Sequence, residues 1–186
     1  MMRHQDGKLE EAESLYEEVI RIDPDHADAL HLLGAVSYQM KKYKKAIAYT
    51  EKALRLKPEN TDLHTNLGNA YLGNGETEAA IFHYRRAIQL NKGDAISYYN
   101  LGNAYKEQGA FDDAVKCYEK ALQINPEMAE AYYNYGNALQ DKHHIDSLAI
   151  PYYRKTISLK PEFAEAHWNL SLALLVTGKF EEGWKE

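Results

Sequence analysis

Seven asparagines recur at matched places along this chain: Asn66 with Asn69, Asn100 with Asn103, Asn134 with Asn137, and Asn169 on its own. A carboxamide holds both a donor and an acceptor, so it can pair with the N–H and C=O of an extended peptide. A row of them grips a main chain with little regard for its side chains. Each such pairing is worth on the order of 1 kcal/mol net, so affinity comes from number. Tyr99, Tyr133 and Trp168 stand immediately before three of these asparagines, and aromatic residues on a groove wall are typical binding anchors. A structural reading stands beside this one. The same carboxamides, Asn69, Asn103 and Asn137 above all, can hold neighbouring helices in register, and the aromatic rings can pack between them.

Signals for catalysis are poor. The eight histidines are scattered, with no His-Glu-x-x-His and no His/Cys cluster at zinc spacing. His143-His144 falls in a turn and needs further ligands to hold a metal. Cys117 reads as a small buried hydrophobe. Gly73-Asn74-Gly75 reads as a connection between helices, not a phosphate loop, and Glu10-Glu11 and Glu17-Glu18 as solvated faces. No catalytic residue, cofactor or metal is expected, and the chain is read as a binding protein and not an enzyme.

The elements that carry the asparagines repeat. Asn66-Leu67-Gly68-Asn69-Ala70-Tyr71 returns as Asn100-Leu101-Gly102-Asn103-Ala104-Tyr105 and as Asn134-Tyr135-Gly136-Asn137-Ala138-Leu139. Gly34, Gly68, Gly102 and Gly136 stand 34 residues apart, which means one supersecondary unit repeated. Apolar spacings of three and four predict helices over 8–22, 27–40, 43–56, 61–73, 78–90, 95–108, 112–124, 129–142, 146–159 and 164–177. Prolines such as Pro24 and Pro58 follow helix ends, and Gly75, Gly109 and Gly178 fall where an exit from a helix wants positive φ. Period-two alternation is absent.

Counting each unit from Ala27, Thr61, Ala95, Ala129 and Ala164, the eighth position is glycine four times and then Ser171. The twentieth is Ala46, Ala80, Ala114 and, after one inserted residue, Ala149. Small residues on facing helices predict a tight crossing. Ala53, Ala87, Ala121 and Thr156 hold the twenty-seventh position, and Pro58, Lys92, Pro126 and Pro161 the thirty-second. In these positions the chain resembles tetratricopeptide repeats over nearly its whole length. It departs at Lys92, at the widened turn near His143-His144 and at Ser171. The resemblance implies an all-α, right-handed α-solenoid of antiparallel helix pairs. As a single array over 1–186, it divides into a second helix at 8–22, full repeats at 27–60, 61–94, 95–128 and 129–163, and a partial repeat at 164–186.

The asparagine row, with the opening 7–16 and 25–34 and the ending 178–184, also resembles the tetratricopeptide superhelix of O-linked N-acetylglucosamine transferases and their bacterial relatives. In such arrays the stripe that holds the asparagines lines the concave groove. The implied function is a scaffold that binds an extended peptide or a partner helix. Two alternatives stay open: the substrate-selecting arm of a larger bacterial glycosyltransferase, and a self-assembling structural unit. Gly7-Lys8-Leu9-Glu10-Glu11-Ala12 and Gly178-Lys179-Phe180-Glu181-Glu182-Gly183 are the same piece of the repeat. The chain is therefore expected to open on a lone second helix and close on a lone first one. That suggests either a part of a longer polypeptide or an end-to-end contact between copies.

Composition bounds the partners. The net charge of −6 and pI near 5.8 argue against nucleic acid or an anionic membrane found by bulk electrostatics. One cysteine suits a reducing cytoplasm, and neither a membrane span nor a secretory signal is evident. Acids such as Asp28, Asp62 and Glu130 along the groove stripe point away from carboxylate-rich tails and towards a neutral or basic extended segment.

Overall fold

The computed structural model describes residues 8–143 and 146–185. It is helical, with no strand among the described residues, and it divides into two compact units, Met1–Lys92 and Gly93–Glu186. The first unit holds α1 (Leu9–Ile22), α2 (Ala27–Gln39), α3 (Tyr43–Leu56), α4 (Thr61–Gly73) and α5 (Thr77–Leu90). The second holds α6 (Ala95–Glu107), α7 (Phe111–Ile124), α8 (Ala129–His143), a 3-10 turn at Asp146–Leu148, α9 (Ile150–Leu159), α10 (Ala164–Val176) and the short α11 (Phe180–Gly183). Within each unit every helix packs against the next, and the first helices also meet, α2 with α4 and α6 with α8. This is the α-solenoid arrangement of antiparallel hairpins.

Three of the first helices, α2, α4 and α6, start at side-chain caps. His26 Nδ1, Asn60 Oδ1 and Asp94 Oδ1 accept from the backbone N–H groups of Ala29, Leu63 and Ile96 at 3.0–3.2 Å, which satisfies donors that the first turn leaves open. The turns between paired helices reverse at Gly75, Gly109 and Gly178, with φ of 82°, 74° and 79°. Lys41 takes the same place in the first hairpin at φ 58°, where a side chain is strained.

One predicted boundary is corrected. The helix expected over 146–159 begins only at Ile150, behind the 3-10 turn. Pro151 has no N–H to give and its ring clashes with the preceding turn, so it fits only the first turn of a helix.

The core is apolar and small at the crossings. Ala46, Ala80, Ala114 and Ala149 are fully buried, as are Leu33, Leu67 and Ala104. The tight crossing nevertheless has a different cause from the expected pairing of glycine with alanine. A methyl group added to Gly68 would lie 2.6 Å from the Tyr84 ring, and one added to Gly102 would lie 2.6 Å from that of Tyr118. Gly136 stands in the same way against Tyr153. The glycine makes room for a tyrosine ring from the second helix, and these three rings are fully buried.

Candidate functional site

The second unit holds most of the predicted stripe, and its hydrogen bonds repeat. The buried Tyr118 of α7 crosses beneath Gly102 and donates its hydroxyl to Asn103 Oδ1 at 2.8 Å. Asn134 of α8 donates through Nδ2 to the same Oδ1 at 3.0 Å and to the Tyr99 hydroxyl oxygen at 3.0 Å. One repeat later, Tyr153 donates to Asn137 Oδ1 at 2.7 Å, and Asn169 donates through Nδ2 to Asn137 Oδ1 and to Tyr133 at 3.2 and 3.1 Å. Tyr153 also bonds Gln140 at 2.9 Å.

Both hydrogens of Asn134 Nδ2 are therefore spent inward, and so are both lone pairs of Asn103 Oδ1. The same holds for Asn169 and Asn137. Among the described residues no bond uses the other ends, Oδ1 of Asn134 and Asn169 and Nδ2 of Asn103 and Asn137, which leaves alternating acceptors and donors on half-buried side chains. Tyr99 and Tyr133, as acceptors of these bonds, keep a proton to give.

The aromatic wall is graded. The Tyr99 ring leans on Tyr118 at 6.2 Å, and Tyr133 lies between Tyr153 at 5.9 Å and Phe163 at 5.0 Å. Trp168 projects, 68% exposed. Burial pushes the Tyr118 hydroxyl well above the usual phenol range, so it stays a donor at any physiological pH.

In the first unit the stripe is built differently. Asn66 Nδ2 meets His31 Nε2 at 2.8 Å, and Asn69 Oδ1 accepts from the Tyr84 hydroxyl at 2.7 Å. Thr65, immediately before Asn66, is buried and turns its hydroxyl back to Thr61 O. Two of the acids counted on the rim are already paired, Asp28 with Lys57 at 2.7 Å and Glu130 with Lys160 at 3.3 Å. Asn100 is half-buried and engaged.

Sequence reasoning missed the tyrosine braces. The signal was there: Asn69, Asn103 and Asn137 each accompany a tyrosine on the paired helix, whereas the first hairpin has Ala35 with Thr50. It also missed an imidazole pair. His64 Nε2 lies 3.2 Å from Pro58 O, and since a carbonyl only accepts, that nitrogen carries the proton. His64 Nδ1 then accepts from His83 Nδ1–H at 3.1 Å. Burial, followed by the neighbouring His64, pushes His83 down to about 4, and burial also lowers His64. The His83 ring stacks on Tyr71, whose hydroxyl donates to Glu51 at 2.7 Å.

Cys117 is buried, as its spacing suggested. His144 lies outside the described residues, as does the His143 side chain. Among the described residues no three metal-binding side chains converge, and no helix is long and apolar enough to cross a membrane.

Models of the tetratricopeptide repeat match residues 1–59, 49–82, 95–128 and 147–183, and a TPR repeat model matches 74–109. No curated protein matches. Among solved structures, a MamA protein is 30% identical, with 88% of this chain and 89% of that one covered at a TM-score of 0.74. YrrB, described as a TPR protein with an unusual peptide-binding site, is 27% identical, covering 89% and 84% at 0.71. A thermophilic TPR protein of Thermus thermophilus, at 19% identity and a TM-score of 0.76 over 94% of each chain, shares the fold.

Proposed function

This chain belongs to the tetratricopeptide-repeat family, and on that premise we propose that it is a protein-binding scaffold whose second unit holds an extended segment of a partner. The observation that carries this reading is the division of labour within each carboxamide. One end of Asn103, Asn134, Asn137 and Asn169 braces the repeats, and the other remains for a ligand. Acceptors and donors that alternate along a wall match the alternating N–H and C=O of a peptide main chain. Tyr99, Tyr133 and the projecting Trp168 supply apolar anchors beside them. With Glu165 exposed on the same helix as Trp168, the fitting segment is neutral or basic.

Trp168 gives the cleanest test, because little of it is buried and its loss leaves the core intact. A displayed library of random peptides is selected on the parent, and the best binder is measured by fluorescence anisotropy. Trp168→Ala is expected to weaken it about tenfold, the size of a modest hot spot, with an unchanged melting temperature. Asn134→Ala is expected to lower both affinity and stability. A binder indifferent to both substitutions rules out the groove as the binding surface.

A second reading, contact between copies, is favoured by apolar side chains in solvent. Ile22 on α1 and Val176 on α10 are 87% and 70% exposed. Helix faces of this kind that differ within one chain make heterologous contacts. Sedimentation over a concentration series tests it, and a concentration-independent monomer excludes it.

A further inference from the structure

Three second helices, α1, α5 and α7, share one pattern, and α3 departs from it. In α1, α3, α5 and α7 the eighteenth, twenty-second, twenty-sixth and twenty-ninth positions of the repeat fall at spacings of four, four and three, so they share one helix face. In α1, α5 and α7 that stripe is headed by a carboxylate, Glu10, Glu78 and Asp112. In α3 it reads Lys44, Ala48, Lys52 and Arg55, all exposed, with no carboxylate among them. The first turn of α3 holds no acidic residue, and Lys41 adds a further exposed charge just before it. All second helices have the same stacking to satisfy, so stacking does not call for this run of like charge.

Nor is the charge spent inside the molecule. Lys42 and Lys45 are neutralised by Glu13 and Glu17 at 2.6–2.8 Å, but Lys41, Lys44, Lys52 and Arg55 form no ion pair among the described residues. Lys52 is held over the Tyr49 ring at 5.8 Å. From Lys44 to Arg55 the stripe runs about 16 Å at the helical rise, the reach of about five residues of extended chain.

Its borders choose the partner. The ion pairs from Lys42 and Lys45 place α1 alongside α3, and α1 exposes Glu10 and Glu18. A broad anionic surface such as a membrane meets those carboxylates together with the lysines. The stripe also offers no exposed aromatic ring on which bases could stack, since Tyr49 is half-buried. A narrow line of cations without such platforms suits a narrow line of carboxylates. We propose that Lys44, Lys52 and Arg55, with Lys41, form a docking strip for an acidic extended segment of a partner protein, separate from the asparagine stripe of the first helices.

The experiment is anisotropy of a labelled oligo-glutamate peptide, beside oligo-glutamine, single-stranded oligothymidine and phosphatidylserine vesicles. The parent is expected to bind oligo-glutamate, to bind oligo-glutamine at least about tenfold more weakly, and to lose affinity steeply with added salt. Lys44→Glu/Lys52→Glu is expected to abolish binding, while Trp168→Ala leaves it unchanged. Both lysines are exposed, so melting should not move. If the reversed-charge variant fails to fold, Lys44→Gln/Lys52→Gln serves, with an expected loss of about tenfold. No binding by the parent, equal binding by the lysine variants, or tighter binding of the oligonucleotide or the vesicles overturns the proposal.

Discussion

In the first hairpin Gly34 faces Thr50, and the ninth position is Ala35; in the third, Gly102 faces Tyr118, whose hydroxyl reaches Asn103. The crossing demands only that the eighth position be small, and what fills the space beside it differs. A tyrosine there extends a polar chain from the second helix through the first helix to the next repeat. The second unit closes that chain twice with phenols and carboxamides. The first unit holds one link of this kind, Tyr84 to Asn69 within a single hairpin, and otherwise braces itself with imidazoles, His31 on Asn66 and His64 on His83. At the fifth position an imidazole in the first unit and phenols in the second meet the next repeat's asparagine. The brace thus changes chemistry without change to the period, whereas His64 and His83 stand at other positions.

The contrast is broken most directly at the tyrosine. Tyr118→Ala removes a fully buried ring and is expected to cost about 3–5 kcal/mol by urea denaturation. Tyr118→Phe isolates the hydroxyl and is expected to cost about 1 kcal/mol. Thr50→Ala should fall well short of the first figure; equal losses at Tyr118 and Thr50 would mean the ring braces nothing.

A smaller effect tests the imidazoles. His83 lies below its ordinary value of 6.5, at about 4, so the folded state binds fewer protons than the unfolded one. Its contribution is therefore complete above pH 6.5 and is lost as the pH falls towards 4. Arg86 near His64 adds to this, and Glu51 near His83 opposes it. After screening of these part-exposed rings, the loss is on the order of 1 kcal/mol. His83→Gln should flatten the dependence of melting temperature on pH over that window, and an unchanged slope would put the sensitivity elsewhere.

The smallest effect lies at Lys41, the turn residue that stands where later hairpins have glycine. Lys41→Gly is expected to stabilise by about 0.5–1 kcal/mol, because glycine adopts positive φ without a Cβ penalty. A parallel Gly109→Lys should destabilise by a similar amount. Opposite signs in chemical denaturation support the reading, and a loss at both positions refutes it.

Much of this architecture was legible in the chain. Helix spans follow from apolar spacing, the turns at Gly75, Gly109 and Gly178 from the need for positive φ, and the family from the 34-residue register. The late start of α9 was legible too, in Pro151, but the apolar pattern running through 146–159 hid it. The glycine partner was misjudged because a small residue shows that something approaches closely without showing what approaches.

The sequence by itself determined that equal hairpins form, which face of each first helix carries the carboxamides, and that the α3 stripe is basic. These are local matters, fixed by periodicity along one helix. Only the tertiary structure decided which end of each asparagine is spent. The partners of Asn134 and Asn169 lie 31 to 36 residues away along the chain, and a hydrogen bond depends on a distance near 3 Å that helix packing alone can set.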